Sequence, residues 1–163
     1  MKAVFLDRDG VINMERGDYT CRLEDFKFVP GIFENLKKLQ EAGFLLIVVS
    51  NQGGIAKNRF TQKDVETLHD YMVKSFKKHN INLAEVYYCP HHPSTGNCIC
   101  RKPDSLMLEK AMARFAINPA KACFIGDRDR DMEAGKKAGL KTIKIADNQD
   151  ISEIVRQIIK KQA

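Results

Sequence analysis

The run Phe44-Leu45-Leu46-Ile47-Val48-Val49 constrains this chain more than any other stretch. A strand with one wet face alternates apolar and polar residues. This run has no polar residue to turn toward water, so both of its faces must be covered, as in the centre of a parallel sheet. Other strand-like runs recur along the chain: Ala3-Val4-Phe5-Leu6, Glu85-Val86-Tyr87-Tyr88, Ala122-Cys123-Phe124-Ile125 and Thr142-Ile143-Lys144-Ile145. Between them the apolar period changes to that of a helix. Ile32, Leu36 and Leu39 share one helical face, and so do Val65, Leu68, Met72 and Phe76. Leu106, Met107, Met112 and Phe115 predict a third helix, and Met132, Ala134 and Ala138 a fourth. Ile151, Ile154, Val155, Ile158 and Ile159 predict a last one. Gly43 and Gly139 stand where helices end. Thr61 with Asp64 forms a capping-box pattern ahead of the second helix. Strands alternating with helices imply an α/β fold with a parallel sheet.

Such a sheet brings the carboxyl ends of its strands to one rim, and ligands bind beyond that rim. Asp7-Arg8-Asp9-Gly10 follows the first strand and Ser50-Asn51-Gln52-Gly53-Gly54 the second. Gly126-Asp127-Arg128-Asp129-Arg130-Asp131 ends the fourth, with Asp131 one helical turn beyond Asp127. Each motif alone reads equally well as a solvated turn. Gathered on one rim they describe a chemistry. Clustered carboxylates suit Mg²⁺, which also binds substrate phosphate. A hydroxyl and cations suit a phosphoryl group, whose transfer is mostly positioning and charge stabilisation. A carboxylate can itself be the nucleophile. Residues 11–30 form an irregular stretch of about 20 residues, longer than a plain connection needs. Its Arg16, Asp18 and Tyr19 are candidates to present polar groups near Asp7.

The third strand leads into Cys89-Pro-His91-His92-Pro-Ser-Thr-Gly-Asn-Cys98-Ile-Cys100. Cys89, His91, Cys98 and Cys100 make a closed set of three thiolates and one imidazole, the form of a structural zinc site. His92 is an alternative to His91, which the spacing mildly prefers. Arg101-Lys102-Pro103 follows at once, so a metal-fixed loop would hold two cations with little further ordering cost. Arg offers a planar fork for phosphate and Lys a point charge. Cys123 falls in an apolar strand and reads as core, whereas Cys21 in the long loop has no assigned state. His69 and His79 have no spaced partners and read as structural or surface residues.

At 163 residues the chain is expected to form a single domain over 1–163. Its formal charge is +6, spread over pairs such as Lys37-Lys38, Lys77-Lys78 and Lys136-Lys137. The charge predicts attraction to anions such as phosphorylated metabolites. An Arg-rich tract or an aromatic-studded basic strand is missing, which argues against nucleic acid. The N-terminus runs straight into a strand, and apolar runs stay well short of the ~20 residues of a membrane span. A cytoplasmic monomer is expected, in which free or metal-bound cysteines are the rule.

Four of these motifs together resemble the haloacid dehalogenase-like superfamily in its phosphatase branch. They are Asp7-x-Asp9-Gly10-Val11, Ser50-Asn51, Lys102 and Gly126-Asp127-x-x-x-Asp131, and the match spans residues 3–146. The resemblance implies a Rossmann-like three-layer sandwich with five central parallel strands ordered 5-4-1-2-3. It implies Asp7 as nucleophile and Asp9 as general acid and then base, with Ser50 and Lys102 on the transferring phosphoryl group. Mg²⁺ would be held by Asp7, the carbonyl of Asp9 and Asp127, and Asp131 would support that site from behind.

A narrower likeness lies in Asn51-Gln52-x-Gly54-Ile55-Ala56, Tyr88-Cys89-Pro90-His91-His92-Pro93 and Cys98-x-Cys100-Arg101-Lys102-Pro103. These resemble the D-glycero-D-manno-heptose-1,7-bisphosphate phosphatases, capless enzymes that carry the same zinc loop (89–100 here) and remove the 7-phosphate. That likeness implies a substrate framed by residues 15–19, 50–54 and 101–102, so that Arg16, Asp18, Tyr19, Asn51, Gln52 and Arg101 would contact it. Two features lean instead toward the related histidinol-phosphate phosphatases. Only eight residues separate Cys89 from Cys98, and Arg128 follows Asp127 where Lys is frequent. A phospho-acceptor signalling domain and a zinc-stabilised nucleic-acid module are the readings from other classes. The first lacks the paired Asp-x-Asp and the zinc loop, and the second rests on charge alone.

Overall fold

The computed structural model of the chain describes residues 1–162. The apolar run becomes β2 (Leu45–Asn51), with β1 (Ala3–Leu6) on one side and β3 (Leu83–Cys89) on the other. β4 (Ala122–Gly126) lies beyond β1, and β5 (Lys141–Lys144) beyond β4. Among the described residues the order is β3-β2-β1-β4-β5, and every neighbouring pair is parallel. This is the order that the resemblance implied. The last strand begins one residue earlier than its apolar pattern, though the Ile145 N–H still pairs with the Gly126 carbonyl at 3.0 Å.

Strand alternation divides the core in two. Val4, Leu6, Leu46 and Val48 face α1 (Ile32–Glu41), α2 (Gln62–Lys78) and α5 (Ser152–Gln162). Ala3, Phe5, Ile47 and Val49 face α3 (Leu106–Arg114) and α4 (Asp129–Lys137). The result is three layers with helices on both faces. β1 and β4 are buried along their whole length, while the edge strands β3 and β5 are half exposed, which explains why those two carry Glu85, Lys141 and Lys144. Thr61 caps α2 as its spacing predicted: its hydroxyl accepts from the Asp64 N–H, and the Asp64 carboxylate accepts from the Thr61 N–H.

The connection from β1 to α1 is irregular but packed. Val11, Ile12, Phe26 and Val29 are buried beneath it. Asn13 bridges both Asp9 and Phe28, and Asn148 grips the backbone of Glu15 through both amide atoms. The polar residues of this loop therefore stand on a fixed base. Among the described residues, no inserted sheet or α-helix lies between β2 and α2 or between β3 and α3, so the rim is framed by loops alone.

Candidate active site

Asp7 continues the run of β1, its N–H donating to the Ile125 carbonyl at 3.0 Å. Its Oδ1 accepts from the Arg8 N–H at 2.8 Å and stands 2.9 Å from Lys102 Nζ. Lys102 is buried, and its ammonium also meets Asp131 Oδ1 at 2.7 Å and the Val49 carbonyl at 2.8 Å. Burial alone would lower that ammonium, but the carboxylates of Asp7 and Asp131 outweigh it and hold Lys102 above its ordinary value. Asn51, at the end of β2, fixes the Lys102 backbone: its amide donates to the Lys102 carbonyl at 2.9 Å and accepts from the Lys102 N–H at 3.0 Å.

Asp127 follows β4. Both of its oxygens are buried, and no hydrogen-bond donor reaches either of them. Arg128 Nε lies 3.3 Å from Oδ2 as an ion pair. Burial first, then the Asp7 carboxylate, pushes the Asp127 carboxyl up to about 8. Burial likewise raises Asp7 to about 6, against the pull of Lys102 and with a push from Asp131. Oxygens of Asp7, Asp127 and Asp131 lie within 4.8 Å of one another. Carboxylates this close resist joint ionisation unless a cation stands among them. Asp131 is already engaged on both sides, Oδ1 by Lys102 and Oδ2 by the Arg128 N–H at 3.0 Å. Asp127 Oδ1, by contrast, meets neither a hydrogen bond nor an ion pair. Two glycines make this crowding possible. Gly10 has φ +85°, and a Cβ there would run into the Asp127 carboxylate; a Cβ on Gly126 would meet Asp131.

Asp9 turns its side chain, one quarter exposed, toward the cleft. Its Oδ1 accepts from Arg8 Nη2 at 2.9 Å, Arg8 Nε at 3.3 Å and Asn13 Nδ2 at 2.9 Å; its Oδ2 accepts from Gln52 Nε2 at 3.1 Å. Burial works against its charge, yet Arg8 and these hydrogen bonds prevail and hold Asp9 below the usual carboxylate range. Gln52 Nε2 also donates to Ser50 Oγ at 2.8 Å, which leaves the Ser50 hydroxyl proton free for another acceptor. Asp7, Asp9, Gln52 and Asp127 open on a cleft of about 330 Å³ walled by Asp18, Tyr19, Asn51 and two arginines at the start of α4, Arg128 and Arg130.

Beside this rim, Cys89 Sγ lies 2.9 Å from Cys100 Sγ and 3.8 Å from Cys98 Sγ. His91 Nδ1 lies 3.4 Å from Cys89 Sγ and 3.2 Å from Cys100 Sγ. All four donor atoms fall within 4.8 Å of one another. His92 is turned away, its Nδ1 accepting from the Ser94 N–H at 3.1 Å. Burial, and a hydrogen bond that its S–H donates to Cys100, raise the Cys89 thiol. Burial also opposes ionisation of Cys98, but the N–H groups of Arg101 and Cys100 outweigh it and lower that thiol. The five cysteines are all free, and burial in β4 pushes Cys123 up to about 12.

A family model described as HAD-hydrolase-like matches residues 99–160. The D-glycero-beta-D-manno-heptose-1,7-bisphosphate 7-phosphatase of Haemophilus ducreyi is 40% identical over 147 residues, covering 86% of this chain and 80% of that protein. The alpha-anomer 7-phosphatase of Campylobacter jejuni is 42% identical over 142 residues, covering 87% of this chain and 80% of that protein. This chain belongs to the HAD-like hydrolases, in the family of the heptose-1,7-bisphosphate 7-phosphatases. Its fold is also that of the D,D-heptose 1,7-bisphosphate phosphatase of B. bronchiseptica, with a TM-score of 0.83, 23% identity and 99% of each chain covered.

In this family member the strand ends gather Asp7, Asp9, Ser50, Lys102, Asp127 and Asp131 as their order foretold. The substrate-loop candidates divide. Asp18 and Tyr19 wall the cleft, whereas Arg16 donates to the Tyr19 carbonyl, pairs with Asp25 at 3.4 Å and lines a separate depression with Cys21. Arg101 donates to the His91 carbonyl at 3.0 Å and packs on Gly53, so it ties the thiol loop to the loop after β2. Asn51 and Gln52 wall the cleft, and their amides also hold Lys102, Ser50 and Asp9. Sequence reasoning passed over Arg8 and Arg130 and used Arg128 only as a mark of the histidinol-phosphate relatives. Nothing in the local sequence turns Arg8 inward, and Arg130 was hidden in the mixed charge of the α4 start. His69 was expected to be structural or surface. It is buried against Tyr88, and burial with the Arg8 guanidinium pushes its ring down to about 3.

Proposed function

We propose that the chain is a Mg²⁺-dependent phosphomonoesterase that works through an aspartyl-phosphate on Asp7. We read its substrate as D-glycero-D-manno-heptose 1,7-bisphosphate, cleaved at the 7-phosphate for nucleotide-activated heptose synthesis. The observation that carries the chemistry is Asp7, braced by Lys102, beside an Asp127 whose two buried oxygens accept no hydrogen bond and meet only the Arg128 guanidinium, at 3.3 Å from Oδ2. Orphaned carboxylate oxygens next to a second carboxylate suit a hard cation, and Mg²⁺ takes donors of this kind. Asp7, Asp127 and the carbonyl of Asp9 would hold it, with Asp131 behind them. When bound, the ion neutralises phosphoryl charge and keeps Asp7 ionised.

The chain's own residues divide the work. Asp7 attacks phosphorus, the bond to the sugar oxygen breaks, and Asp9 gives that oxygen its proton. Asp9 gains this proton because an incoming phosphate dianion raises a neighbouring carboxylate. Ser50 turns its free hydroxyl proton to the phosphoryl oxygens, and Lys102 adds a fixed positive charge. A water then attacks the phosphoryl group, Asp9 takes its proton, and Asp7 is released.

Zn²⁺ is the second cofactor in this reading, held by Cys89, His91, Cys98 and Cys100. Three sulfurs and one imidazole nitrogen converging at one point are the donor set of a closed structural site. Its role would be to fix the loop that carries Arg101 and Lys102. A monomer and a single domain over 1–163 complete this reading. Five free cysteines suit a reducing cytoplasm. Among the described residues no helix is long and apolar enough to cross a membrane. The expected partner is a small phosphorylated metabolite rather than nucleic acid.

The relatives' names support the heptose bisphosphate and include both anomers. Histidinol phosphate is the second reading, favoured by the short thiol loop and Arg128. The test is kcat/KM for both heptose bisphosphate anomers and for histidinol phosphate. At least one heptose anomer should exceed histidinol phosphate by about 100-fold or more; the reverse order overturns the substrate assignment.

A further inference from the structure

Arg8 is fully buried, and its guanidinium donates into protein on every side. Nε and Nη2 reach Asp9 Oδ1 at 3.3 and 2.9 Å, and Nη2 also donates to the Thr20 carbonyl at 2.9 Å. Nη1 lies 3.2 Å from Nε2 of His69, a buried residue of α2 that is sixty-one positions along the chain. A guanidinium can only donate, so His69 Nε2 accepts and its ring is neutral. One side chain thus joins the acid/base carboxylate, the end of the substrate loop and a helix of the opposite layer. A buried cation held this way is costly to desolvate, and stability alone is weak grounds for keeping it.

The contacts on Asp9 are unequal. Oδ1 faces three N–H groups, two from Arg8 and one from Asn13, while Oδ2 faces the single Gln52 amide. A proton on Oδ1 would have to displace one of the three donors. Oδ2 has room for one. We propose that Arg8, braced by His69, is a positioning residue that holds Asp9 Oδ1 as a fixed acceptor and thereby dedicates Oδ2 to carrying the catalytic proton. This rests on the reading of Asp9 as acid and base given above. In the first half-reaction the Oδ2 proton moves to the ester oxygen as that oxygen takes the electron pair of its broken bond to phosphorus. In the second half-reaction a water proton returns to Oδ2 while the water oxygen bonds to phosphorus. The phosphorus–Asp7 bond breaks then, and its electron pair stays on Asp7.

Without Arg8 the Asp9 carboxyl keeps one amide donor on each oxygen, Asn13 on Oδ1 and Gln52 on Oδ2, so the two oxygens lose their difference, and only esters that need acid assistance should suffer. The test measures kcat/KM, which covers events up to loss of the alcohol, for phosphate monoesters running from 4-nitrophenyl phosphate to a simple alkyl phosphate. Arg8→Met should lower the alkyl ester about 100-fold and the nitrophenyl ester less than about 5-fold, the size expected when general acid catalysis is lost. His69→Leu should move both esters in the same pattern more weakly, and His69→Gln, which keeps an acceptor, should restore the wild-type ratio. Thermal melting of each variant separates these effects from unfolding; if Arg8→Met does not fold, the two His69 variants decide. Equal losses on both esters, or a His69→Leu ratio like wild type, overturn the positioning role. Asp9→Asn is the reference. If it too leaves the ester ratio unchanged, the acid role of Asp9 fails and this inference fails with it. A changed ratio in Asp9→Asn but not in Arg8→Met or His69→Leu overturns this inference alone.

Discussion

Asp7 and Asp9 are two positions apart and live in opposite surroundings. Burial dominates at Asp7 and donors dominate at Asp9, so the first carboxyl is raised and the second lowered. An amide is a poor nucleophile, so Asp7→Asn should reduce turnover by at least about 1000-fold; steady-state phosphate release measures it. The raised carboxyls also predict a pH effect. A carboxyl raised in the folded state binds more protons there than in the unfolded chain, so stability falls as pH climbs from the unfolded value to the folded one. For Asp7 that window runs from 3.8 to about 6, and for Asp127 from 3.8 to about 8. A cation among them removes the penalty. The rise in melting temperature on adding Mg²⁺ should therefore be larger at pH 8 than at pH 5, which calorimetry of the metal-free protein would show. At this scale the acids were legible because strand ends announce themselves in sequence. The donors were not: no local signal says that Arg8 points inward or that His69 waits for it.

Two loops meet where Asn51 closes both hydrogen bonds of the Lys102 backbone. That junction places the ammonium against Asp7, although sequence reading gave Asn51 to the substrate. Asn51→Ala leaves a buried N–H and carbonyl without partners, at a cost of about 1–3 kcal/mol. It should lower kcat more than it raises KM; urea unfolding and steady-state kinetics read the two effects. The thiol loop acts on the same segment from its other end. Removing Zn²⁺ from the site proposed at Cys89, His91, Cys98 and Cys100 should free residues 89–102 to exchange amide protons and reduce kcat, without touching the carboxylates proposed to hold Mg²⁺. Hydrogen exchange with and without a chelator checks this. The four donors were legible from spacing. The choice of His91 over His92 needed the backbone, because only the fold shows His92 turned to Ser94.

Across the whole molecule, the apolar strand that fixed the fold class also fixes the rim. Ile47 and Val48 bury opposite faces of β2 and hold the strand whose end carries Ser50 and Asn51. Ile47→Ala should cost about 2–5 kcal/mol in urea unfolding while leaving KM near its original value in the folded fraction. The parallel sheet and the shared rim were readable from alternation alone, whereas the three layers and the strand order came from the resemblance. The central claim is that the rim performs phosphoryl transfer onto Asp7. Its most direct test is to mix Asp9→Asn protein with 4-nitrophenyl phosphate, whose leaving group needs no acid, and Mg²⁺, quench in acid and map the phosphorylated peptide by mass spectrometry. The account predicts phosphate on Asp7, trapped because the base for its release is gone. Phosphate release by the wild type with no label on Asp7, or label on another residue, would contradict it.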